Sequence, residues 1–232
     1  MLSLIKNELH GWKRWEIAWL SIATAIIIAL SLYWHDSLMG IISATTGVIC
    51  VVCTGKGKLS AYLFGLINTV LYAIIAYQSR YYGEVMLNAL YYVPMQFVGF
   101  YVWKKNMNTD TAEVNKRDMN AKQRSIMYFL IFIGVILYGM FLKKLGGNLP
   151  FVDAFTTVSS VAAMIISVRM FSDQWILWIL IDIVTIFMWG VSFYKGQDNI
   201  ATLCMWCVYL LNAIIMYYKW HKESKERSVV NV

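Results

Sequence analysis

Charged residues are scarce in this sequence. Asp, Glu, Lys and Arg make up 14% of the 232 residues, whereas 59% are hydrophobic. A soluble domain carries roughly 25% charged residues, because most of its surface faces water. The shortage therefore indicates that most of the protein surface faces an apolar medium.

Proline is also scarce, and the excess positive charge has no nucleic-acid pattern. The two prolines argue against a disordered or Pro-rich linker. The formal charge of +7 comes from basic residues that lie between apolar runs and not along one face. We therefore expect no nucleic-acid partner, because the orientation of a protein in a membrane explains this charge better.

Sequence signatures of enzymes and of metal sites are missing. The chain has no G-x-x-x-x-G-K-[ST], H-E-x-x-H or G-x-S-x-G motif, so we predict no catalytic activity and no cofactor. Its four cysteines form two C-x2-C pairs, Cys50/Cys53 and Cys204/Cys207. The topology below puts the pairs near opposite sides of a bilayer, where they cannot form one tetrahedral zinc site. We interpret them as packing residues.

Long apolar runs dominate what is present. Crossing roughly 30 Å of hydrocarbon takes about 20 apolar residues in a helix. Eight runs meet this length, at 15–34, 37–54, 59–78, 83–103, 124–142, 151–170, 174–194 and 199–219. The sequence predicts an all-α membrane protein; it leaves open whether the first run, which has amphipathic flanks, spans completely. That run lacks a small-residue cleavage site, so we interpret it as a retained helix.

The distribution of basic residues predicts the orientation. With eight spans, 16 of the Lys and Arg residues lie on the side of the two termini and 4 lie opposite, which accounts for all 20. The four are Arg80, Lys143, Lys144 and Lys195. Because cytoplasmic loops carry the excess of Lys and Arg, we predict that both termini are cytoplasmic.

An internal repeat predicts the arrangement of the helices. Residues 37–105 align with 151–222, with Asn68 opposite Asp182. Three helices and one linker helix return the chain to its starting side, so the two repeats must be parallel. This predicts 3+1+3 transmembrane helices plus one extra N-terminal helix. The predicted units are an N-terminal segment 1–36, repeat 1 at 37–105, a loop and linker helix at 106–148, repeat 2 at 149–222 and a cytoplasmic tail 223–232.

The run 174–194 carries the most informative polar stripe. Trp175, Trp178 and Asp182 are spaced three and four residues apart, so they share one face of a helix. Indoles beside a carboxylate form a suitable surface for a flat cationic ring. Two alternatives stay open: the tryptophans are an interfacial belt, or Asp182 pairs structurally with Arg169.

Further polar residues recur on three other predicted helices, and they predict a polar cavity that both repeats line. Interhelical hydrogen bonding is the alternative role for each single amide. Pro94 predicts a kink within its helix. The candidate residues on these helices are Asn68 with Tyr72, then Asn88, Tyr92 and Gln96, then Tyr209 and Asn212.

Several of these segments resemble the PnuC family of vitamin transporters, over about residues 37–222. The most specific is Trp175-x-x-Trp178-Ile-x-x-Asp182, followed by Tyr194-Lys195-Gly196 and the closing Tyr217-Tyr218-Lys219-Trp220. The first half adds Asn68-x-x-x-Tyr72, Tyr82-Gly83-Glu84 and Trp103-Lys104. The resemblance implies the 3+1+3 fold that the family shares with SWEET sugar carriers.

The resemblance also implies a function in the bacterial inner membrane. Nicotinamide riboside would enter by facilitated diffusion, and a cytoplasmic nicotinamide riboside kinase would trap it. The candidate residues would contact this substrate, and the protein would be a homotrimer. Other functions stay open: a carrier of thiamine or riboflavin, an ion or proton channel that uses Asp182, or a receptor or assembly subunit that transports nothing.

Overall fold

Eight helices long and apolar enough to cross a membrane are present in the computed structural model, within the residues that it describes (8–78, 82–108, 111–144, 150–194 and 200–230). They are α1 (Arg14–Tyr33), α2 (Leu38–Lys56), α3 (Ser60–Gln78), α4 (82–105), α5 (Ala121–Lys144), α6 (Pro150–Val168), α7 (Gln174–Tyr194) and α8 (Ile200–Val230). The predicted all-α membrane fold is confirmed, and α1 is long enough to span. Lys6, Arg80, Lys195 and Gly196 lie outside the described residues.

The helix α8 differs from the sequence prediction at its end. It has 31 residues and continues to Val230, whereas the apolar run ends at residue 219. Residues 223–230 therefore extend α8, and the predicted cytoplasmic location of this segment stays a prediction. Polar residues maintain the helix there, since Lys222 and Glu226 are one turn apart, with Nζ and Oε1 separated by 3.9 Å.

The helix α4 contains a wide turn where the sequence predicts a kink. Its first part is α-helical (Tyr82–Met86), the middle is a π-helix (Leu87–Tyr92), and Val93–Lys105 is α-helical again. Pro94 lies two residues after the end of the π-helix. Proline has no N–H, and its ring collides with the carbonyl group four residues before it. The wide turn is the local adjustment that accompanies Pro94.

Three helices pack together on each side of α5 in the chain. The helix α3 packs between α2 and α4, and α7 contacts both α6 and α8. The two sets meet where α8 contacts α2 and where α6 contacts α4, while α5 lies along α6 and α1 lies against α2 and α8. The parallel relation of the two repeats and the domain boundaries stay predictions.

Buried ion pairs connect three helices and a loop at one end of the bundle, which we term the basic end. Lys56 Nζ lies 2.8 Å from a carboxylate oxygen of both Glu16 and Glu113. Lys219 Nζ lies 2.6 Å from Glu16, and Lys116 Nζ lies 2.9 Å from Glu113. Burial acts to raise the pKa of Glu113, but the neighbouring Lys116 and Lys56 lower it below its ordinary value. We refer to these five side chains as the charged network.

Candidate functional site

A cavity of about 140 Å³ lies inside the bundle, between α2, α3, α4, α6, α7 and α8. An engineered cavity of about 150 Å³ in another protein holds one benzene molecule, so this space accommodates an aromatic ring. All ten residues that the sequence singled out line this cavity: Asn68, Tyr72, Asn88, Tyr92, Gln96, Trp175, Trp178, Asp182, Tyr209 and Asn212. The structure therefore brings together residues that are up to 144 positions apart, from Asn68 to Asn212.

The wall formed by α7 carries the two indoles and the carboxylate. Trp175 is 2% exposed and packs edge-to-face on Trp220, with 5.7 Å between the ring centroids. A belt residue faces the membrane interface, so the belt interpretation is wrong for Trp175. Trp178 is half-buried and also faces the cavity.

Asp182 is a buried acid without a cationic neighbour. It is 2% exposed, and none of the ion pairs among the described residues involves it. Arg169 is exposed, so the structural pairing that the sequence left open is wrong. A buried carboxylate is costly in hydrocarbon unless it has a partner. A cationic ligand in the cavity would provide one.

The side-chain amides that line the cavity differ in how many hydrogen bonds they already make to other helices. Asn212 donates from Nδ2 to the Val51 carbonyl oxygen over 3.0 Å and accepts from Trp19 Nε1 over 3.2 Å. Asn68 donates to the Ser43 carbonyl oxygen over 2.9 Å. Interhelical hydrogen bonding therefore engages both of these amides, although they line the cavity.

The amide of Gln96 is less constrained. Its Nε2 makes one long contact of 3.5 Å with Thr69 Oγ1. Asn88 bonds locally, from Nδ2 to the Glu84 carbonyl oxygen over 2.8 Å. Since an amide has two donor hydrogens and an acceptor oxygen, Gln96 retains hydrogen-bonding capacity for a ligand.

The sequence analysis did not assign several polar groups of the cavity wall to the site, among them Glu84 and Trp206. Glu84 lies in the first turn of α4, inside the predicted run 83–103, but the sequence analysis did not include it in the polar stripe of that helix. The available signal was its spacing: Glu84 precedes Asn88 by four residues, as Asn88 precedes Tyr92. Trp206 precedes the candidate Tyr209 by three residues, so helical spacing was the available signal for it too.

The π-helix explains how four residues of α4 reach one cavity. In an α-helix a spacing of four residues leaves an offset of about 40°, so Glu84 and Gln96 would differ by about 120°. A π-helix has a wider turn, with i→i+5 hydrogen bonds. The segment Leu87–Tyr92 therefore recovers part of the offset, and Glu84, Asn88, Tyr92 and Gln96 all face the cavity.

An aromatic layer closes the cavity towards the basic end. Tyr62 and Trp175 line the cavity, and both pack with Trp103 and Trp220 in one buried cluster. Val114, from the loop between α4 and α5, is fully buried in the same cluster. The charged network holds this loop in place through Glu113 and Lys116.

These features define a polytopic membrane protein with a cavity of small-molecule size inside its helix bundle. The cavity is lined by aromatic rings, amides and two carboxylates, and its lining contains no Lys, Arg or His among the described residues. Such a lining suits a flat organic cation.

Comparison with known proteins identifies the family. The family model described as "Nicotinamide mononucleotide transporter" matches residues 37–222. The chain is 38% identical to the nicotinamide riboside transporter PnuC of Neisseria mucosa, over 96% of this chain and 87% of that protein. It is 35% identical to the nicotinamide riboside transporter PnuC of Haemophilus influenzae, over 95% of this chain and 96% of that protein.

A solved structure is similar over nearly the whole chain. The crystal structure of the vitamin B3 transporter PnuC matches with a TM-score of 0.89 at 37% identity, covering 97% of this chain and 99% of that chain. The protein therefore belongs to the PnuC family of nicotinamide mononucleotide and riboside transporters, as the sequence analysis expected. It is a multi-pass inner-membrane protein.

Proposed function

We propose that the protein carries nicotinamide riboside across the inner membrane by facilitated diffusion. The observation that carries this proposal is the buried carboxylate of Asp182, which lies in a cavity with indoles and without any lining cation. Nicotinamide riboside contains a flat pyridinium ring with a positive charge. Asp182 provides the countercharge, and Trp178 and Trp175 provide faces or edges for the ring.

The proposed contacts have plausible strength. Stacking of a cation on an indole contributes about 0.5–2 kcal/mol. The carboxamide of the substrate needs hydrogen-bonding partners, and Gln96 retains capacity for them. Asn68, Tyr72, Asn88, Tyr92, Tyr209 and Asn212 complete the proposed binding residues.

The charge of the cavity favours the riboside over the mononucleotide. A phosphate group adds a charge of about −1.5 to −2 near neutral pH and is usually bound by Arg or Lys. This cavity offers Asp182 and Glu84, and no Lys, Arg or His among its described lining. A phosphorylated substrate would therefore be repelled and left without a cationic partner.

In this proposal the concentration gradient of the substrate drives transport. The sequence has no phosphate-binding loop for ATP hydrolysis, and we propose no catalytic step. A cytoplasmic nicotinamide riboside kinase would phosphorylate the substrate, which then cannot return through the carrier. On the family resemblance we further propose a homotrimer, and on the charge distribution we propose that both termini are cytoplasmic.

Two other functions have less support. Thiamine is also an aromatic cation and would satisfy Asp182, whereas riboflavin is neutral and would not. A proton channel needs a continuous pore, but the layer of Tyr62, Trp103, Trp175 and Trp220 closes one side of the cavity. The indoles also have no evident role in proton conduction.

Uptake into proteoliposomes tests the proposal. Labelled nicotinamide riboside should equilibrate across liposomes that contain the purified protein, without ATP and without a pH gradient. Unlabelled nicotinamide riboside should compete, and nicotinamide mononucleotide at the same concentration should not. Uptake that requires an imposed proton gradient would contradict facilitated diffusion, and stronger competition by thiamine would change the assigned substrate.

A further inference from the structure

A groove of about 690 Å³ lies on the outside of the bundle, between α5 and α6, and its described lining shares no residue with the central cavity. We propose that an anionic phospholipid binds in this groove, with an acyl chain between the two helices and its phosphate group on Arg117 and Arg169. The proposal does not depend on which substrate the central cavity carries.

The helix α6 separates the groove from the central cavity. Ser160 and Met164 line the cavity, whereas Val158, Ala162 and Ile165 line the groove. Positions two residues apart in an α-helix differ by about 200°, so these two sets lie on opposite faces of α6. The groove is therefore a separate site on the membrane-facing side of this helix.

The length and lining of the groove match one leaflet of a bilayer. On α6 the lining runs from Val158 to Arg169, a distance of roughly 16 Å along a helix. One leaflet supplies half of the hydrocarbon thickness, about 15 Å. Ile126, Leu130 and Ile165 line this length and are 49%, 62% and 41% exposed, so they present apolar surface to an acyl chain.

The polar part of the groove lies where the two helices end. Arg169 directly follows Val168, the last residue of α6, and Arg117 lies four residues before α5 begins at Ala121. Both arginines are exposed and line the groove at the basic end of the bundle. This is the level at which the phosphate groups of a bilayer lie when α5 and α6 cross its hydrocarbon.

Arg117 is held in position at this end of the groove. Its backbone N–H donates to the Met170 carbonyl oxygen over 3.1 Å, and its carbonyl oxygen accepts from the Ser172 N–H over 2.8 Å. Its Nε donates to the Arg169 carbonyl oxygen over 2.9 Å, and its guanidinium carbon lies 4.4 Å from the ring centroid of Phe171. The terminal N–H groups remain for a phosphate, which arginine binds through two parallel hydrogen bonds.

The protein supplies no countercharge for these two arginines. The described lining of the groove contains no Asp or Glu. None of the ion pairs among the described residues involves Arg117 or Arg169. The nearby Asp173 pairs with Arg124, with 2.6 Å between Oδ1 and Nε, and Asp118 lies 3.2 Å from His221 Nδ1.

A lipid with a net negative charge satisfies both parts of the groove. Basic pockets between transmembrane helices bind the headgroups of anionic lipids. A free phosphate would use the arginines and leave the apolar length empty, whereas a helix of a second copy would fill the apolar length and leave the arginines without an anion. An anionic phospholipid supplies the acyl chain and the phosphate together.

Native mass spectrometry of the purified full-length protein tests the headgroup contact. Phosphatidylglycerol and phosphatidylcholine with identical acyl chains are added in turn, and the lipid retained per chain is measured. We expect the wild-type protein to retain about one phosphatidylglycerol and to prefer it over phosphatidylcholine. Arg169→Gln and Arg117→Gln should each lower the affinity for phosphatidylglycerol about fivefold, the usual contribution of one basic residue near a membrane surface. Arg14→Gln, at another exposed arginine at the start of α1, is the matched control and should change nothing.

A substitution within the apolar length tests the acyl-chain contact. Ile165→Trp should lower the retention of phosphatidylglycerol about fivefold or more, because the indole takes space that contacts with the chain require. Leu180→Trp, at a similarly exposed position of α7 outside the groove, is the matched control. The melting temperature of each variant shows that it is folded.

Three results would overturn the proposal. The first is equal retention of the two lipids, or of neither, by the wild-type protein. The second is unchanged retention in Arg169→Gln, whose exposed side chain makes no bond that folding requires among the described residues. The third is loss of the oligomer in Ile165→Trp without any lipid on the wild-type protein, which would make the groove an interface between copies of this chain.

Discussion

Burial gives Asp182 and its surroundings their chemical character. Carboxylates near the middle of a membrane are rare, and they usually face a cavity or a partner. Asp182 has the cavity and no cationic partner among the described residues. Thr185, one turn further along α7, bonds to the Ile181 carbonyl oxygen over 2.9 Å and so satisfies itself locally. The acidic side chains that line the cavity are therefore Asp182 and Glu84.

The contribution of the indoles can be measured at Trp178. Trp178→Ala should weaken the binding of nicotinamide riboside about tenfold in calorimetry, since a cation–π contact of about 0.5–2 kcal/mol is lost together with apolar contact area. The melting temperature should change little, because Trp178 is only half-buried. Trp34→Ala, at an exposed ring after α1, is the matched control and should leave the affinity unchanged. Unchanged affinity in Trp178→Ala would remove this indole from the site.

At the scale of secondary structure, the wide turn in α4 has a functional consequence. The π-helix Leu87–Tyr92 aligns Glu84 with Asn88, Tyr92 and Gln96 along the cavity. Single wide turns within α-helices are frequent at functional sites. Here the turn ends two residues before Pro94, so one proline accounts for both the irregular hydrogen bonding and the alignment.

The charged network joins separate elements at the basic end. Glu16 lies in the first turn of α1, Lys56 ends α2 and Lys219 lies in α8. Glu113 and Lys116 belong to the loop between α4 and α5. Lys56 and Glu16 are 3% and 1% exposed. Removing one member of a buried pair is strongly destabilising, because an uncompensated charge remains.

Lys56→Gln should lower the free energy of unfolding by about 3 kcal/mol, near the lower end of the usual range for a broken buried pair. We expect a loss of stability near this lower limit, because Glu16 still pairs with Lys219 and Glu113 still pairs with Lys116. For a protein of this size, the loss corresponds to a melting temperature about 6–12 °C lower.

The matched control is Lys222→Gln. Lys222 forms an exposed pair with Glu226 at 3.9 Å, and exposed pairs contribute about 0–1 kcal/mol. Thermal unfolding in detergent should therefore distinguish the two variants clearly. Equal melting temperatures for both would show that the charged network does not stabilise the basic end.

At the scale of the whole molecule, an even number of spans and the uneven distribution of basic residues predict the topology. Eight complete spans would bring both termini to the same side. A tag at either terminus should react with a membrane-impermeant reagent only after the cells are opened, because both termini are predicted to be cytoplasmic. A tag inserted in the predicted loop 79–81 serves as the control and should react in intact cells. Labelling of a terminal tag in intact cells would contradict the predicted orientation.

The sequence by itself determined the membrane class, the eight helices and ten residues of the cavity wall. These follow from local rules, since a helix that crosses hydrocarbon needs about 20 apolar residues and its polar residues recur on one face. It also yielded the family, through the Trp175–Asp182 segment.

Only the tertiary structure decided which of those residues remain free for a ligand. The bonds of Asn212 to Val51 and Trp19, and the pairing of Lys56 with Glu113, join residues that are far apart in sequence. Helical periodicity cannot predict such contacts, because it describes one helix and not the neighbour against which it packs. The spacing of Glu84 was compatible with the stripe of Asn88, Tyr92 and Gln96, but its alignment with Gln96 depends on the wide turn later in α4.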